Sequence, residues 1–351
     1  MHDLSFLAAG GILVSLILYA LLGGADFGGG VWDLLSSGPR AGAQRLLIAH
    51  AIGPIWETNH IWVVIAVVIL FTAFPPAFAL LSTALFVPVT LMLAGIVLRG
   101  AAFAFHSYHL HDEGGVERRW GLVFACASLL TPVLLGVVIG AVSSGAIRAR
   151  STAALGASFA WLSPFPLSVG LLTLAVFSYL ASVYLIFETD DPGLREDFRA
   201  RALWSSAAVA ALLVIVPLLA RNEARDFYHA LLGSDWSSGL VFLAATAALG
   251  SHVSLLLRSY PVARFCAAAQ ATVVLAGWGA AQYPFLVRPD LTIPAAASSH
   301  ASLRLILIAL AAGGVLLFPA IFLLFWIFKK EAILGRISHH GSSRDGAGRS
   351  G

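Results

Sequence analysis

The chain has 351 residues, 59% of them hydrophobic and only 11% charged, with a formal net charge of +3. With a mean hydropathy of +0.88, there are too few charges to cover the surface of a soluble globule, so the composition indicates an integral membrane protein. Apolar runs of about 20 residues recur and exceed the length of barrel strands, which makes the fold class all-α.

The first run follows "MHDLSF", which lacks a basic leader and a small-residue cleavage signal, so it reads as a retained helix. Charged and Pro/Gly breaks give nine spans, near 6–34, 46–73, 76–103, 120–143, 166–187, 203–220, 238–257, 262–286 and 303–328. The second and third are separated only by "TAFPPAF", which predicts a tight reversal between antiparallel helices. Cys126 and Cys266 lie inside apolar runs, where thiols pack as small side chains. The end, 331–351, is small and polar and predicts a disordered tail.

Orientation follows from the basic residues. Fifteen Lys and Arg fall on the side of the C-terminal tail and of the connections after spans one, three, five and seven, against six on the other side. The N-terminus is therefore expected outside and the C-terminus in the cytoplasm. This asymmetry accounts for the basic balance, and no nucleic-acid role follows from it.

The polar residues within the spans carry the chemistry. Asp26, in "LLGGADFGGGVWDLL", lies about two turns before Asp33 at the cytoplasmic end of span one. Gly23, Gly29 and Gly30 share its face, and Ala20, Gly24 and Gly28 form a separate small-residue stripe. Such an arrangement lets a helix or water approach the carboxylate. A buried acid costs roughly 2.5 to 3.5 kcal/mol and tends to mark a proton or ion path, although an acid bonded across a helix interface fits as well.

In "HAIGPIWETNHIW", Glu57 falls about as deep, and His50, Gly53, Glu57 and His60 follow helical spacings of three, four and three. A carboxylate with nearby imidazoles suits a proton relay, and a polar stripe joining two helices is the plainer reading. Glu57-x-x-His60 is half of a di-iron pattern with no second half elsewhere. His60, His252 and Met92 do not make a convincing haem axial set. The glycines are no phosphate loop, since no Lys-Ser/Thr follows. Arg99 reads as a residue snorkelling to the cytoplasmic interface.

Together "GGADFGGGVWDLL", "GPIWETNHIWVVIAVVILFTAFPPAFA", "LRG" and "YPFLVRPDLTI" resemble subunit II of the cytochrome bd-type quinol oxidases, from span one through span nine. The resemblance implies nine transmembrane helices, as two four-helix bundles at 1–143 and 144–290 and one peripheral helix at 291–330. It implies a heterodimer with a haem-bearing subunit I in a bacterial or archaeal cytoplasmic membrane, with room for a small accessory subunit and bound lipid or structural quinone. The haems, b with d-type or b-type alone, would belong to subunit I, and quinol would be the substrate of the complex. This chain would bind no cofactor and no metal.

Carried over, Asp26 and Glu57 match positions of the cytoplasmic proton path, with His60 and His50 beside them, and Trp62 matches a tryptophan near an oxygen-access route. Many relatives have Asp in place of Glu57 and a further acid where this chain has Gly23. A proton-coupled secondary transporter is the alternative, although no second "GADFGGG" marks an inverted repeat.

Overall fold

The computed structural model describes residues 2–52, 59–108, 115–148 and 159–345. The chain divides into two units, Met1–Leu303 and Arg304–Gly351. In the first unit, α1 (His2–Leu34) is followed by α2 (Ala41–Ile52), α3 (Ile61–Ala73), α4 (Pro75–Ala84), α5 (Phe86–Tyr108) and α6 (Gly115–Ser143). Next come α7 (Pro164–Leu185), α8 (Pro192–Glu223), α9 (Arg225–Leu232), α10 (Ser237–Leu256) and α11 (Tyr260–Gln282). A short antiparallel hairpin, β1 (Phe285–Val287) and β2 (Leu291–Thr292), leads into α12 (Ile293–Ala296). The last helix, α13 (His300–Asp345), begins in the first unit and makes up most of the second.

Among the described residues, eight helices are long and apolar enough to cross a membrane, and the bent pair α3 and α4 makes a ninth crossing if it is one span. The expected second and third spans are therefore cut differently from the sequence reading. At "TAFPPAF" the chain turns through 117° between α3 and α4, and a second break at Leu85 precedes α5. Pro75 and Pro76 have no N–H to continue α3, and Phe74 leaves helical geometry (φ −136°, ψ 58°). The same prolines suit the first turn of α4. Ser298 donates its main-chain N–H to the Ala73 carbonyl at 2.8 Å, supplying a donor for a carbonyl freed at the break.

Two other expectations change. The charged stretch before the expected sixth span is helical from Pro192, because the Asp191 side chain accepts from Leu194 N at 2.8 Å and caps α8. Likewise α13 continues to Asp345, through most of the segment expected to be a disordered tail.

The buried core lies where α7 meets its neighbours. α7 packs along α1, α6, α8 and α11, and Phe165, Leu180, Phe198 and Leu255 are wholly enclosed there. Gly136 and Gly140 allow α6 to approach closely: a Cβ at 136 would come within 2.5 Å of the Val169 carbonyl oxygen. At one end of the unit, Arg40 donates through Nε to Asp197 at 2.9 Å, and Gln44 donates to the same carboxylate at 2.8 Å. The bond to Asp197, and then the charge of that carboxylate, raise the pKa of Arg40, so it stays cationic. Arg201 donates to Gln44 at 2.6 Å and lies over the Trp32 ring, tying the α1–α2 connection to α8.

Candidate functional site

Asp26 is 3% exposed inside α1, and two side chains from other elements bond to it. Asn59 Nδ2 donates to its carboxylate at 2.6 Å and lies 3.4 Å from the Leu22 carbonyl. Arg99, from α5, donates through Nη2 to the Asp26 main-chain oxygen at 2.7 Å and through Nε to Ser128 Oγ of α6 at 3.1 Å. The Arg99 guanidinium lies over the Phe27 ring at 4.7 Å and the Phe124 ring at 5.1 Å. A carboxylate, an amide and a guanidinium thus meet in an apolar interior, where each is costly without a partner.

The glycines around Asp26 serve helix packing. Gly24 and Gly28 face α7: a Cβ at 24 would meet the Phe177 ring at 2.6 Å, and one at 28 would overlap the Phe177 carbonyl. Gly29 faces Ile52 of α2 and Gly30 faces Ser128 of α6. The small-residue stripe through Gly24 and Gly28 is therefore the seam between α1 and α7. On the face of Asp26, the approach expected of a helix or of water is made by α2 at Gly29 and by α6 at Gly30.

The other expected residues fall as follows. His60 is the N-cap residue of α3, with Nδ1 3.4 Å from Tyr19 Oη, and its ring sits 5.8 Å from Phe27. Trp62 is buried at the start of α3. His50 is exposed on α2, its Nδ1 3.3 Å from its own helix's Leu46 carbonyl, so it is not part of the buried group. Glu57 lies outside the described residues. The expectation that Arg99 snorkels to the interface is wrong: it is 1% exposed and reaches Asp26.

Sequence reading missed Asn59, Tyr19 and Arg99 as members of this group. Asn59 stood in the quoted "WETNHIW", two positions after Glu57. Among the described residues no three His, Cys, Asp or Glu side chains gather in a way that could hold a metal ion. His252 Nδ1 is 2.8 Å from Ser206 Oγ, between α10 and α8.

Residues 4–328 match the family model described as cytochrome bd terminal oxidase subunit II. The chain belongs to that family. It is therefore a subunit of an oxidoreductase complex, embedded in the membrane by many helices. It is 21% identical over 332 residues to the putative cytochrome bd menaquinol oxidase subunit II of Bacillus subtilis, covering 90% of this chain and 92% of that one. It is 28% identical over 210 residues to the cytochrome bd-I ubiquinol oxidase subunit 2 of Escherichia coli K12, covering 58% and 52%. The fold is similar to that of the solved bd oxidase from Geobacillus thermodenitrificans, with a TM-score of 0.77, 24% identity, and coverage of 93% of this chain and 98% of that one.

Proposed function

We propose that this subunit II supports a haem-bearing subunit I and delivers cytoplasmic protons for the reduction of oxygen to water, with quinol as electron donor. The relatives' names, menaquinol in one and ubiquinol in the other, support quinol as the substrate class and leave its species open. The redox centres, haems b with d-type or b-type alone, lie in the partner, and this chain's two bundles with a peripheral ninth helix form its half of the heterodimer. Family membership removes the ground for the transporter reading.

One observation carries the proton-delivery reading: the Asp26 carboxylate is enclosed in the membrane interior and aligned by Asn59 at 2.6 Å. A carboxyl group so placed can take a proton and release it, while the amide holds its orientation in either state. Glu57, two residues before Asn59, supplies the next acid, His60 extends the line, and Trp62 stands beside the oxygen-access route, while His50 lies apart from the buried group.

The test uses amides that keep shape but cannot ionise. Asp26→Asn and Glu57→Gln complexes should assemble with normal haem content and lose roughly 100-fold in quinol-driven oxygen consumption, while Glu57→Asp stays active. A fully assembled Glu57→Gln complex that takes up protons at the parent rate would refute the relay.

The side of entry has its own test. A cysteine placed after Gly341 should resist an impermeant thiol reagent in intact cells, and one at Ser151 should react; the reverse pattern would invert the topology and the source of the protons.

A further inference from the structure

Beside the Asp26–Asn59 pair lies a second pair of groups able to exchange protons. Tyr19 is 2% exposed, and its hydroxyl is 3.4 Å from His60 Nδ1. Both rings pack against Phe27, at 6.5 Å from Tyr19 and 5.8 Å from His60, and Phe27 in turn stacks on Phe177 at 6.3 Å. These aromatic rings line the pair, of which Tyr19 is buried and His60 half-buried. Because His60 follows Asn59 directly, the two pairs are linked through one stretch of backbone.

The position of Tyr19 also explains why residue 23 is glycine. A Cβ at 23 would meet Tyr19 Cε2 at 2.9 Å and Cδ2 at 3.0 Å, with Asn59 Cβ next at 3.7 Å. No side chain, and so no acid, can stand at position 23 while the Tyr19 ring holds its place. The volume one turn before Asp26 is filled by a phenol directed at an imidazole.

We propose that Tyr19 and His60 act as a proton-carrying pair beside the Asp26–Asn59 pair. This rests on the proton-delivery reading of the same site. A hydroxyl both donates and accepts, and an imidazole takes a proton on one nitrogen and yields one from the other. In one passage, the hydroxyl accepts a proton from the cytoplasmic side while its own proton moves to Nδ1, and the ring gives up its Nε2 proton inward. Each group ends with as many protons as it began. The 3.4 Å separation closes by a few tenths of an ångström, or through one water, to the range of direct transfer.

The experiment uses the intact complex. Tyr19→Phe keeps the ring beside Gly23 and removes only the hydroxyl, so a space-filling role would be preserved. The expected result is normal assembly and haem content, with oxygen consumption and proton uptake slowed roughly 100-fold. His60→Gln should slow both equally, and the double variant should be no slower than either single one, because the two groups work as a unit. A Tyr19→Phe rate within about threefold of the parent, or a double variant slowed by the product of the two factors, would overturn the pair. If Asp26→Asn slows uptake and Tyr19→Phe does not, this inference alone fails. If neither does, the delivery reading fails with it.

Discussion

Replacing Gly28 with leucine is expected to abolish accumulation of the folded subunit. α1 meets α7 at this residue so closely that even a Cβ would lie 2.5 Å from the Phe177 carbonyl carbon and 2.7 Å from the Ala181 Cβ. The obstacle is mainly backbone, which cannot rotate aside, so relief requires separating the two helices. That separation would also open the buried core that α7 shares with α8 and α11, at a cost on the order of 3 kcal/mol or more. Alanine should already lower the melting temperature of the purified complex. Gly24→Ala should cost less, since it meets the Phe177 ring, a side chain that can shift.

Gly10→Ala in the same helix is the control. Nothing lies within 4 Å of a Cβ at position 10, and alanine favours a helix over glycine by up to about 1 kcal/mol. Melting temperatures of the three alanine variants should therefore rank Gly10 highest and Gly28 lowest. Equal values for Gly10→Ala and Gly28→Ala would refute the close α1–α7 seam.

The second large effect is expected at Arg99. Its removal leaves the Asp26 main-chain oxygen and Ser128 Oγ without the charged donor that α5 brings to them. Hydrogen bonds from a charged donor contribute about 1.5 to 3 kcal/mol each, and both are lost together. Arg99→Met retains much of the side-chain volume, so a fall in thermal stability would report the lost polar contacts rather than a cavity. Arg99→Lys should recover little: a single ammonium cannot reproduce a planar fork that spans two helices between two aromatic rings. An Arg99→Met complex with unchanged melting temperature and activity would show that the contacts contribute nothing.

The error over Arg99 shows where sequence reading runs out. Counted from the expected end of span three, the residue lies near the interface, where a long cationic side chain ordinarily reaches water. α5 instead continues to Tyr108, and Arg99 turns inward because Asp26 and Ser128 come from other helices. One-dimensional distance to a span's end says nothing about which face a residue occupies. Asp26 was legible because a carboxylate in an apolar run stands out against its surroundings. Asn59, neutral and next to a more conspicuous acid, was not.

The spans were legible for a related reason: apolar length is a local property, and seven of the nine expected spans appear as continuous helices among the described residues. The second and third were read as uninterrupted helices on either side of a Pro-Pro reversal, but the 117° turn and the second break at Leu85 depend on what can satisfy the freed backbone groups. Those partners come from distant residues. The glycines were likewise recognised as contact points, but their division among α7, α2 and α6 required the tertiary arrangement.

The bond from Ser298 to Ala73 joins residues more than two hundred positions apart without using either side chain. A scan replacing each residue by alanine would leave it in place, and two homologues could share it with no identity at either site. Its signature in a mutational survey would be intolerance of proline alone at position 298, since proline is the one natural residue with no main-chain hydrogen to give.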